Sequence, residues 1–450
     1  MELLQKSKRI YFLGIGGIGM SALARYCLQA GKEVYGYDLT STPLTDELHK
    51  AGAHIHYETQ PELIPEKIDF AVYTPAVSVD HAEYQYFVRN SIPIFKRAQL
   101  LGMLSAQYPT IAVAGTHGKT TTTAITAQLL HGEKPLMAFI GGIAKNFDSN
   151  FILDKNLQYA VVEADEFDKS FLSLSPAVAV ITSMDADHLD IYGDKRHLEE
   201  SFRLFAQRIV PGGTLVIHEA VADRIAHPCK VTYGLSASCD YRITELFMQH
   251  EKASFRLVCR NKSYAVQLGV PGMHNILNAT AAFAAVQAQF GDEAAQTARF
   301  LERLARFNGV KRRFDYQIIR PDLIYIDDYA HHPEELRAII TAVKNIYADK
   351  RITGVFQPHL FTRTRDFAHE FADALGLLDE VILLEIYPAR ELPIAGINST
   401  YLLGLLTNSQ KQLLSKEALL PCLQQAPPQV LLTLGAGDID RLVPILRDNL

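Results

Sequence analysis

The sequence has few cysteines, and none of them has a spacing that indicates a structural role. The five cysteines are odd in number, and no two form a C-x-x-C pair: Cys27, Cys229, Cys239, Cys259 and Cys422. A disulfide framework and a zinc module built on paired cysteines are therefore both disfavoured. A reducing cytoplasm is the expected location of such a chain.

An excess of positive charge and long apolar runs are also lacking. Lysine and arginine number 44 against 50 aspartate and glutamate, which gives a formal net charge of −6 at pH 7. Non-specific nucleic-acid binding depends on excess cations, so we expect no nucleic-acid partner. No apolar stretch approaches the roughly 18 residues that a spanning helix needs, so we expect no membrane segment. The basic start resembles a signal peptide, but four glycines interrupt its apolar stretch and argue against one.

The length and the order of predicted elements indicate an α/β protein of several domains. A chain of 450 residues predicts about three domains at roughly 150 residues each. Strand-like and helix-like segments alternate as in parallel sheets, and this alternation restarts twice. We predict a Rossmann-like domain at 1–98, a central α/β domain at 99–308 and a Rossmann-like domain at 309–450. Alternating residues near 231–268 predict antiparallel strands added to the central domain.

A glycine loop follows the first predicted strand and has the pattern G-x-G-x-x-G. Small residues there let backbone N–H groups approach a diphosphate, and the following helix N-terminus favours an anion. Asp38 lies 19 residues after the last glycine, where an acid can bind a ribose hydroxyl or a base edge. A packing turn without a ligand is the alternative. The residues predicted to bind a nucleotide diphosphate are Gly14, Gly16, Gly17, Ile18, Gly19 and Asp38.

A second glycine loop predicts a phosphate-binding site at the start of the central domain. The usual pattern G-x-x-x-x-G-K-[ST] has glycine where this chain has Val113, and the rest of the pattern is present. Backbone N–H groups can cradle phosphates, Lys119 can neutralise the β- and γ-oxygens, and the Thr120 hydroxyl can reach Mg²⁺. The central domain is therefore expected to resemble a P-loop ATPase.

Carboxylates follow two predicted strands and could supply a metal site beside this loop. One group is E-A-D-E at 163–166 and the other is D-A-D-H-L-D at 185–190. Ligands bind at the carboxyl ends of strands in open α/β sheets, and Mg²⁺ prefers hard oxygen ligands. An acidic surface turn is the alternative for the second group, and His188 alone could be a structural hydrogen-bonder.

Three later loops are polar enough to be sites. The segment 272–278 opens a helix that Asn275 could cap. The segment 327–333 has two acids and two histidines at a strand end, with a solvated helix start as the alternative. Arg363 and Arg365 could hold a carboxylate bidentately, with surface arginines as the alternative.

Taken together, these strings resemble the Mur ligases of peptidoglycan synthesis over nearly the whole chain. The similar strings are GIGGIGMS at 14–21, AGTHGKTTTT at 114–123, EADE at 163–166, DADHLD at 185–190, GMHNILN at 272–278, KRRF at 311–314, DDYAHHP at 327–333, TRTRD at 362–366 and LTLGAGDI at 432–439. Within the family, the first and seventh strings are most similar to members that add L-alanine to UDP-N-acetylmuramate. Members that add a tripeptide to the same sugar nucleotide are the main alternative.

The resemblance implies a cytoplasmic, ATP-dependent ligase that uses Mg²⁺ or Mn²⁺ and forms an amide through an acyl phosphate. Its implied partners are UDP-N-acetylmuramate, ATP and L-alanine, and the chain would be a monomer or a homodimer. The C-terminal domain would close on ATP and bind the amino acid, and the glycines and Asp38 of the first loop would hold the UDP end of the sugar nucleotide.

The resemblance also assigns roles to individual residues. The catalytic residues would be Lys119, Glu163 and His188. The metal ligands would be Thr120, Glu163 and His188. The ATP-binding residues would be Gly115, Thr116, His117, Gly118, Lys119, Thr120, Thr121, His274, Asn275, Asn278, Arg313 and Asp328. The amino-acid-binding residues would be Tyr329, His331, His359 and Arg363.

Two departures from the family pattern affect these assignments. Leu360 stands where the family often has arginine after Pro-His, so this residue cannot hold the amino-acid carboxylate and Arg363 becomes the stronger candidate. Some sister ligases carry a carbamylated lysine after the histidine loop; Lys195 is nearby, but we do not assign it that role.

Two functions outside the family fit the sequence less well. An NAD-dependent oxidoreductase would use the first glycine loop and leave the second loop and its acids unexplained. A regulatory P-loop switch would leave the first loop unused, and the sequence has no evident guanine-reading N-K-x-D.

Overall fold

The computed structural model describes residues 2–185, 195–248, 252–259, 262–389 and 391–450. The chain divides into two compact units. The first comprises Met1–Leu246, Ser254–Leu268 and Leu277–Asn308, and the second comprises Phe247–Ala253, Gly269–Ile276 and Gly309–Leu450.

The first sheet is a five-stranded parallel sheet with the order β3-β2-β1-β4-β5, which confirms the predicted Rossmann-like start. Its strands are β1 (Arg9–Leu13), β2 (Glu33–Tyr37), β3 (His54–His56), β4 (Phe70–Tyr73) and β5 (Ile94–Lys96). The helices around it are Glu2–Lys6, Ile18–Gln29, Pro43–Lys50, Ala82–Arg89 and Arg97–Ser105, with a 3-10 turn at Pro61–Leu63. Apolar side chains of β1 are buried in clusters on both faces, as a covered parallel sheet requires.

The second sheet has ten strands in the order β15-β14-β13-β12-β11-β10-β6-β9-β7-β8. Its strands are β6 (Thr110–Ala114), β7 (Leu136–Ala144), β8 (Ser149–Leu153), β9 (Tyr159–Glu163), β10 (Val178–Ile181), β11 (Thr214–His218), β12 (Lys230–Gly234), β13 (Tyr241–Met248), β14 (Ala253–Cys259) and β15 (Lys262–Leu268). The strands from β13 to β7 pair in parallel, and β8 is antiparallel to β7. The pairing of β12 with β13 is therefore parallel, whereas the sequence predicted antiparallel strands in this region. The helices that follow these strands or connect them are Lys119–Leu130, Lys195–Gln207, Met273–Phe290 and Ala294–Ala305, with 3-10 segments at Phe167–Ser173 and Glu219–Arg224.

The third sheet has six strands in the order β16-β17-β21-β18-β19-β20. Its strands are β16 (Asp315–Ile319), β17 (Ile324–Asp328), β18 (Ile352–Phe356), β19 (Glu380–Leu383), β20 (Lys411–Leu413) and β21 (Val430–Leu434). Only β16 is antiparallel to its neighbour; the other pairs are parallel. Its helices are Pro333–Ile346, Phe361–Asp366, Ala368–Leu375, Ser399–Leu405, Lys416–Gln425 and Leu442–Asn449, with a 3-10 turn at Asp438–Arg441.

Three α/β sheets therefore fall within the three predicted regions, although the boundaries at 98 and 308 stay predictions. Among the helices of the described residues, none has the length and apolar character that crossing a membrane requires.

A close approach in the first unit depends on a glycine. Gly102 is buried in the helix Arg97–Ser105, and a Cβ atom at this position would overlap the backbone carbonyl of Ser173. The helix and the segment Phe167–Ser173 approach this closely only because residue 102 has no side chain. Since that segment follows β9, the contact helps to fix the acidic residues at the end of that strand.

We predict that Gly102→Ala lowers the free energy of unfolding by about 1–3 kcal/mol, because the added methyl group overlaps backbone that cannot give way easily. Gly404→Ala is the matched control: Gly404 also lies in a helix, and a Cβ there meets nothing within 4 Å. The control should be neutral or raise stability by about 0.5–1 kcal/mol. Urea unfolding followed by circular dichroism measures both, and equal midpoints for the two variants would contradict the packing argument.

Candidate active site

The phosphate loop joins the fully buried strand β6 to the helix Lys119–Leu130. Gly115 and Gly118 adopt φ angles of 134° and 80°, a region that glycine enters without the steric cost other residues incur. A Cβ atom on Gly115 would overlap the hydroxyl of Thr182, and one on Gly118 would overlap the amide of Asn278. The sequence-predicted Asn278 therefore lies against this loop.

Lys119 is the cation of the loop and is held by three oxygen acceptors. Its Nζ donates to the carbonyl oxygens of Gly115 at 2.7 Å and Thr116 at 3.3 Å, and to Oε1 of Glu166 at 2.8 Å. Burial lowers the pKa of Lys119, but the carboxylates of Glu166, Asp165 and Glu163 outweigh burial and raise that pKa overall. Lys119 therefore stays charged where phosphates would lie.

Thr120 and Glu163 lie together beside Lys119. The Thr120 hydroxyl donates to the Glu163 carboxylate, and Oε2 of Glu163 also accepts the N–H of Gly141 at 2.8 Å. Burial raises the pKa of Glu163, although the charge of Lys119 opposes that shift. A hydroxyl and a carboxylate next to a phosphate loop are the oxygen donors that Mg²⁺ takes from proteins.

These two residues fit Mg²⁺ bound together with a nucleotide. In the described part of the chain, no group of three or more His, Cys, Asp or Glu is placed to hold a metal ion. Mg²⁺ needs fewer protein ligands, because phosphate oxygens and water complete its octahedron. His188, the third sequence-predicted metal ligand, lies outside the described residues.

Sequence reasoning missed two hydroxyl residues that fix the loop. The Ser183 hydroxyl bonds to Oγ1 of Thr116 and accepts the N–H of His117, both at 2.9 Å. Thr182 donates to the His117 carbonyl. Both residues follow β10, which pairs in parallel with β6. The sequence signal that could have identified them is their position directly after a strand that neighbours β6.

The N-terminal glycine loop is arranged by Asp38. Oδ2 of this carboxylate accepts the N–H of Gly16 at 2.7 Å, so Asp38 holds the loop directly. Gly14 adopts a φ of 80°, Gly17 caps the following helix, and that helix begins at Ile18. The predicted contact of Asp38 with a ribose hydroxyl or a base edge stays a prediction.

In the second unit, Asp328 organises the end of β17. Its two carboxylate oxygens accept the N–H groups of Phe314 at 2.7 Å and Ala330 at 2.8 Å. Burial raises the pKa of Asp328 to about 6, although Arg313 and these two N–H groups oppose the shift. The guanidinium of Arg313 lies over the Tyr329 ring at 4.9 Å. The structure thus brings together the sequence-predicted residues Arg313, Asp328 and Tyr329.

The first turn of the helix Met273–Phe290 holds two more predicted residues. Burial, with a further contribution from Arg313, lowers the pKa of His274 to about 4, so its ring stays neutral near pH 7. Asn275 lies within the helix and donates from its side chain to the Pro271 carbonyl at 2.6 Å. Capping by Asn275 is therefore not what the structure shows.

Three of the four predicted amino-acid-binding residues form one cluster. Nδ1 of His331 lies 3.0 Å from the Tyr329 carbonyl oxygen, and its ring centroid is 5.9 Å from that of His359. His359 stacks on Tyr387 at 5.8 Å, a contact that sequence reasoning missed. The fourth residue, Arg363, is buried in the short helix that follows Leu360.

Known proteins resemble this chain along its full length. Residues 9–109 match the model of the Mur ligase family catalytic domain, residues 113–286 the Mur ligase middle domain, and residues 312–437 the Mur ligase glutamate ligase domain. The UDP-N-acetylmuramate–L-alanine ligase of Cytophaga hutchinsonii is 44% identical over 446 residues, which cover 96% of this chain and 95% of that protein. The protein of the same name from Phocaeicola vulgatus is 45% identical and 97% of each chain is covered.

Solved structures of Mur ligases also resemble this chain along its full length. The crystal structure of the UDP-N-acetylmuramate-alanine ligase of Thermotoga maritima has a TM-score of 0.82 and 30% identity, with 98% of each chain covered. A murein peptide ligase from Psychrobacter arcticus shares the fold with a TM-score of 0.74 and 22% identity, over 98% of this chain and 99% of the other. The resemblance read from the sequence motifs is therefore confirmed, and the chain belongs to the Mur ligase family.

Proposed function

We propose that the protein is an ATP-dependent ligase that joins L-alanine to the lactyl carboxylate of UDP-N-acetylmuramate, in peptidoglycan precursor synthesis. The observation that carries the chemistry is the charged Lys119, held beside Thr120 and Glu163 at a phosphate loop. The substrates follow from the relatives, which carry that name at 42–45% identity over 96–99% of this chain.

The reaction has two bond-forming steps. A carboxylate is a poor acyl donor, so one of its oxygens first attacks the γ-phosphorus of ATP, and ADP leaves. The resulting acyl phosphate is attacked at its carbonyl carbon by the amine of L-alanine. The tetrahedral intermediate then expels phosphate, which carries away the former carboxylate oxygen, and the amine loses a proton. No covalent bond to the protein is needed.

The residues around the phosphate loop stabilise the first step. The loop N–H groups and Lys119 bind the β- and γ-phosphates and offset the charge that develops on the transferred group. Glu166 keeps Lys119 in place and charged until phosphates replace the backbone carbonyls as its acceptors. When bound at Thr120 and Glu163, Mg²⁺ (or Mn²⁺) supplies charge that offsets the repulsion between the ATP phosphates and the substrate carboxylate.

The remaining roles are distributed over the three predicted regions. The glycines of 14–19 and Asp38 in 1–98 hold the UDP end of the sugar nucleotide, and 99–308 binds ATP. Residues of 309–450 contribute to ATP through Arg313 and Asp328, and bind the amino acid through Tyr329, His331, His359 and Arg363. His274, Asn275 and Asn278 hold the adenine side. Because its substrates ATP and UDP-sugars are cytoplasmic, we place the protein there.

An assay with different acceptors tests the proposed activity. The protein is incubated with Mg·ATP and UDP-N-acetylmuramate and either L-alanine, L-serine, glycine or the tripeptide, and phosphate release is measured. We expect the highest release with L-alanine. Release with the tripeptide alone would indicate the peptide-recycling member of the family instead. A nicotinamide-dependent absorbance change without phosphate release would indicate an oxidoreductase.

We predict that Lys119→Ala lowers phosphate release by at least about 10³-fold, because the loop then lacks its cation for the transferred phosphoryl group. Lys155→Ala is the control, since Lys155 is an exposed lysine in the turn after β8 and has no proposed role. Circular dichroism should show that both variants keep the fold. A turnover rate of Lys119→Ala within a few-fold of the wild-type rate would contradict the assignment of this loop as the phosphate-binding loop.

The raised pKa of Asp328 predicts a pH dependence of ATP use. The carboxylate loses its charge as the pH falls through about 6, and it then no longer accepts both backbone N–H groups as an anion. We expect kcat/KM for ATP to decrease from pH 7.5 to pH 5.5 more steeply in the wild type than in Asp328→Asn. The titration of the ATP phosphates affects both proteins equally, so it cancels in the comparison. Parallel pH profiles of kcat/KM would contradict the role of Asp328.

A further inference from the structure

A cation lies against the last glycine of the N-terminal loop. A Cβ atom placed on Gly19 would be 2.8 Å from Nη1 of Arg97 and 3.1 Å from its Cδ. On its other side, Nη2 of Arg97 donates to Oδ2 of Asp165 at 3.2 Å. One guanidinium therefore touches both the loop proposed to hold UDP and the acidic segment after β9.

The position of this arginine runs against ordinary helix electrostatics. Arg97 is the first residue of the helix Arg97–Ser105, Lys96 caps it, and the first turn has no acidic residue. The positive end of the helix dipole disfavours cations there, typically by about 0.3–1 kcal/mol. Lys96 is offset by Asp168, at 2.7 Å from its Nζ. A residue that is unfavourable for its local secondary structure, such as a cation at a helix N-terminus, is found more often at functional sites than elsewhere.

The charges nearby indicate which ligand this arrangement suits. The helix Ile18–Gln29, which begins at the glycine loop, also has no acidic residue in its first turn. The N-terminal turn of this helix and the Arg97 guanidinium thus meet at Gly19, and both favour an anion. The Arg97 side chain is only 17% exposed, so its pairing is screened less than that of a surface arginine.

We propose that Arg97 is a further substrate-binding residue, whose guanidinium exchanges Asp165 for the diphosphate of the UDP-sugar. This inference rests on the proposed function, because it takes the sugar nucleotide as the ligand of the first loop. The planar guanidinium can pair with two phosphate oxygens at once, which a lysine cannot do. Asp165 accepts a hydrogen bond from this guanidinium, so it would compete with the diphosphate for the same donors.

The competition makes the inference testable by binding alone, without turnover. Titration calorimetry with UDP, and separately with UDP-N-acetylmuramate, is carried out on the wild type and on Arg97→Ala, Arg97→Gln, Arg97→Lys and Asp165→Asn. We expect Kd for UDP to rise by about 10–100-fold in Arg97→Ala and Arg97→Gln, the loss typical of a charge-assisted hydrogen bond, and by less in Arg97→Lys. Asp165→Asn should bind UDP as tightly as the wild type or more tightly.

Arg25→Ala is the matched control. Arg25 lies on the helix after the glycine loop, pairs with Glu47 and is 18% exposed, so it matches Arg97 in exposure and in having a carboxylate partner. Its removal should leave Kd for UDP unchanged. The thermal midpoint of each variant is measured as well, and the two variants Arg97→Gln and Arg97→Lys keep the test valid if Arg97→Ala does not fold.

Three results would overturn the inference. Equal Kd values for UDP in Arg97→Ala, Arg97→Gln and the wild type would show that Arg97 does not bind the diphosphate. Loss of affinity in Asp165→Asn as large as in Arg97→Ala would show that the ion pair is only structural. Weaker binding of UDP-N-acetylmuramate but not of UDP in the Arg97 variants would show that Arg97 contacts the carboxylate of the sugar and not the diphosphate. A wild type that binds neither ligand would instead overturn the proposed function itself.

Discussion

The structure of the active site depends on keeping one ammonium group charged inside the protein. Lys119 is surrounded by oxygen atoms from the phosphate loop and by Glu166, which is fully buried. An isolated buried cation would be costly in free energy. Removing either Lys119 or Glu166 would leave the charge of the remaining partner buried and uncompensated. The pair fixes the loop carbonyls, the start of the helix Lys119–Leu130 and the end of β9 relative to one another. Thr120 and Glu163 take their places from those same two elements.

The features that the sequence predicted are those that local rules determine. A buried run, then glycines, then Lys119 predicts strand, loop and helix, because only glycine adopts the φ angles of 134° and 80° there at low cost. The same reasoning finds the glycine loop after β1 and the polar end of β17. Alternation of side chains predicts β14, where buried and half-buried residues alternate along the strand.

Contacts between distant segments could not be predicted in this way. The pairing of Ser183 with Thr116, of Asp38 with Gly16 and of Arg97 with Asp165 depends on which strands are neighbours. The antiparallel strand β8 was missed as well, because a short apolar run does not show its partner. Leu360 has a φ of 72°, a strained conformation that costs of order 1–3 kcal/mol and that the residue type does not suggest.

The charge distribution explains how an acidic protein handles anionic substrates. The chain carries a net charge of −6, yet Lys119, Arg97 and Arg313 each lie where an anion is proposed to bind. Two of these cations, Lys119 and Arg97, are paired with carboxylates of the segment 163–166. Those acids hold the cations in place, and in the proposed function each cation exchanges its carboxylate for a phosphate.

The central claim is that the carboxylate of the sugar nucleotide receives a phosphoryl group before the amide forms. UDP-N-acetylmuramate labelled with ¹⁸O in both lactyl carboxylate oxygens tests it directly, by mass spectrometry of the released phosphate. The account predicts one ¹⁸O atom in each phosphate, because the former carboxylate oxygen leaves with it, and one ¹⁸O atom in the amide carbonyl. Phosphate without ¹⁸O would contradict phosphoryl transfer to the carboxylate.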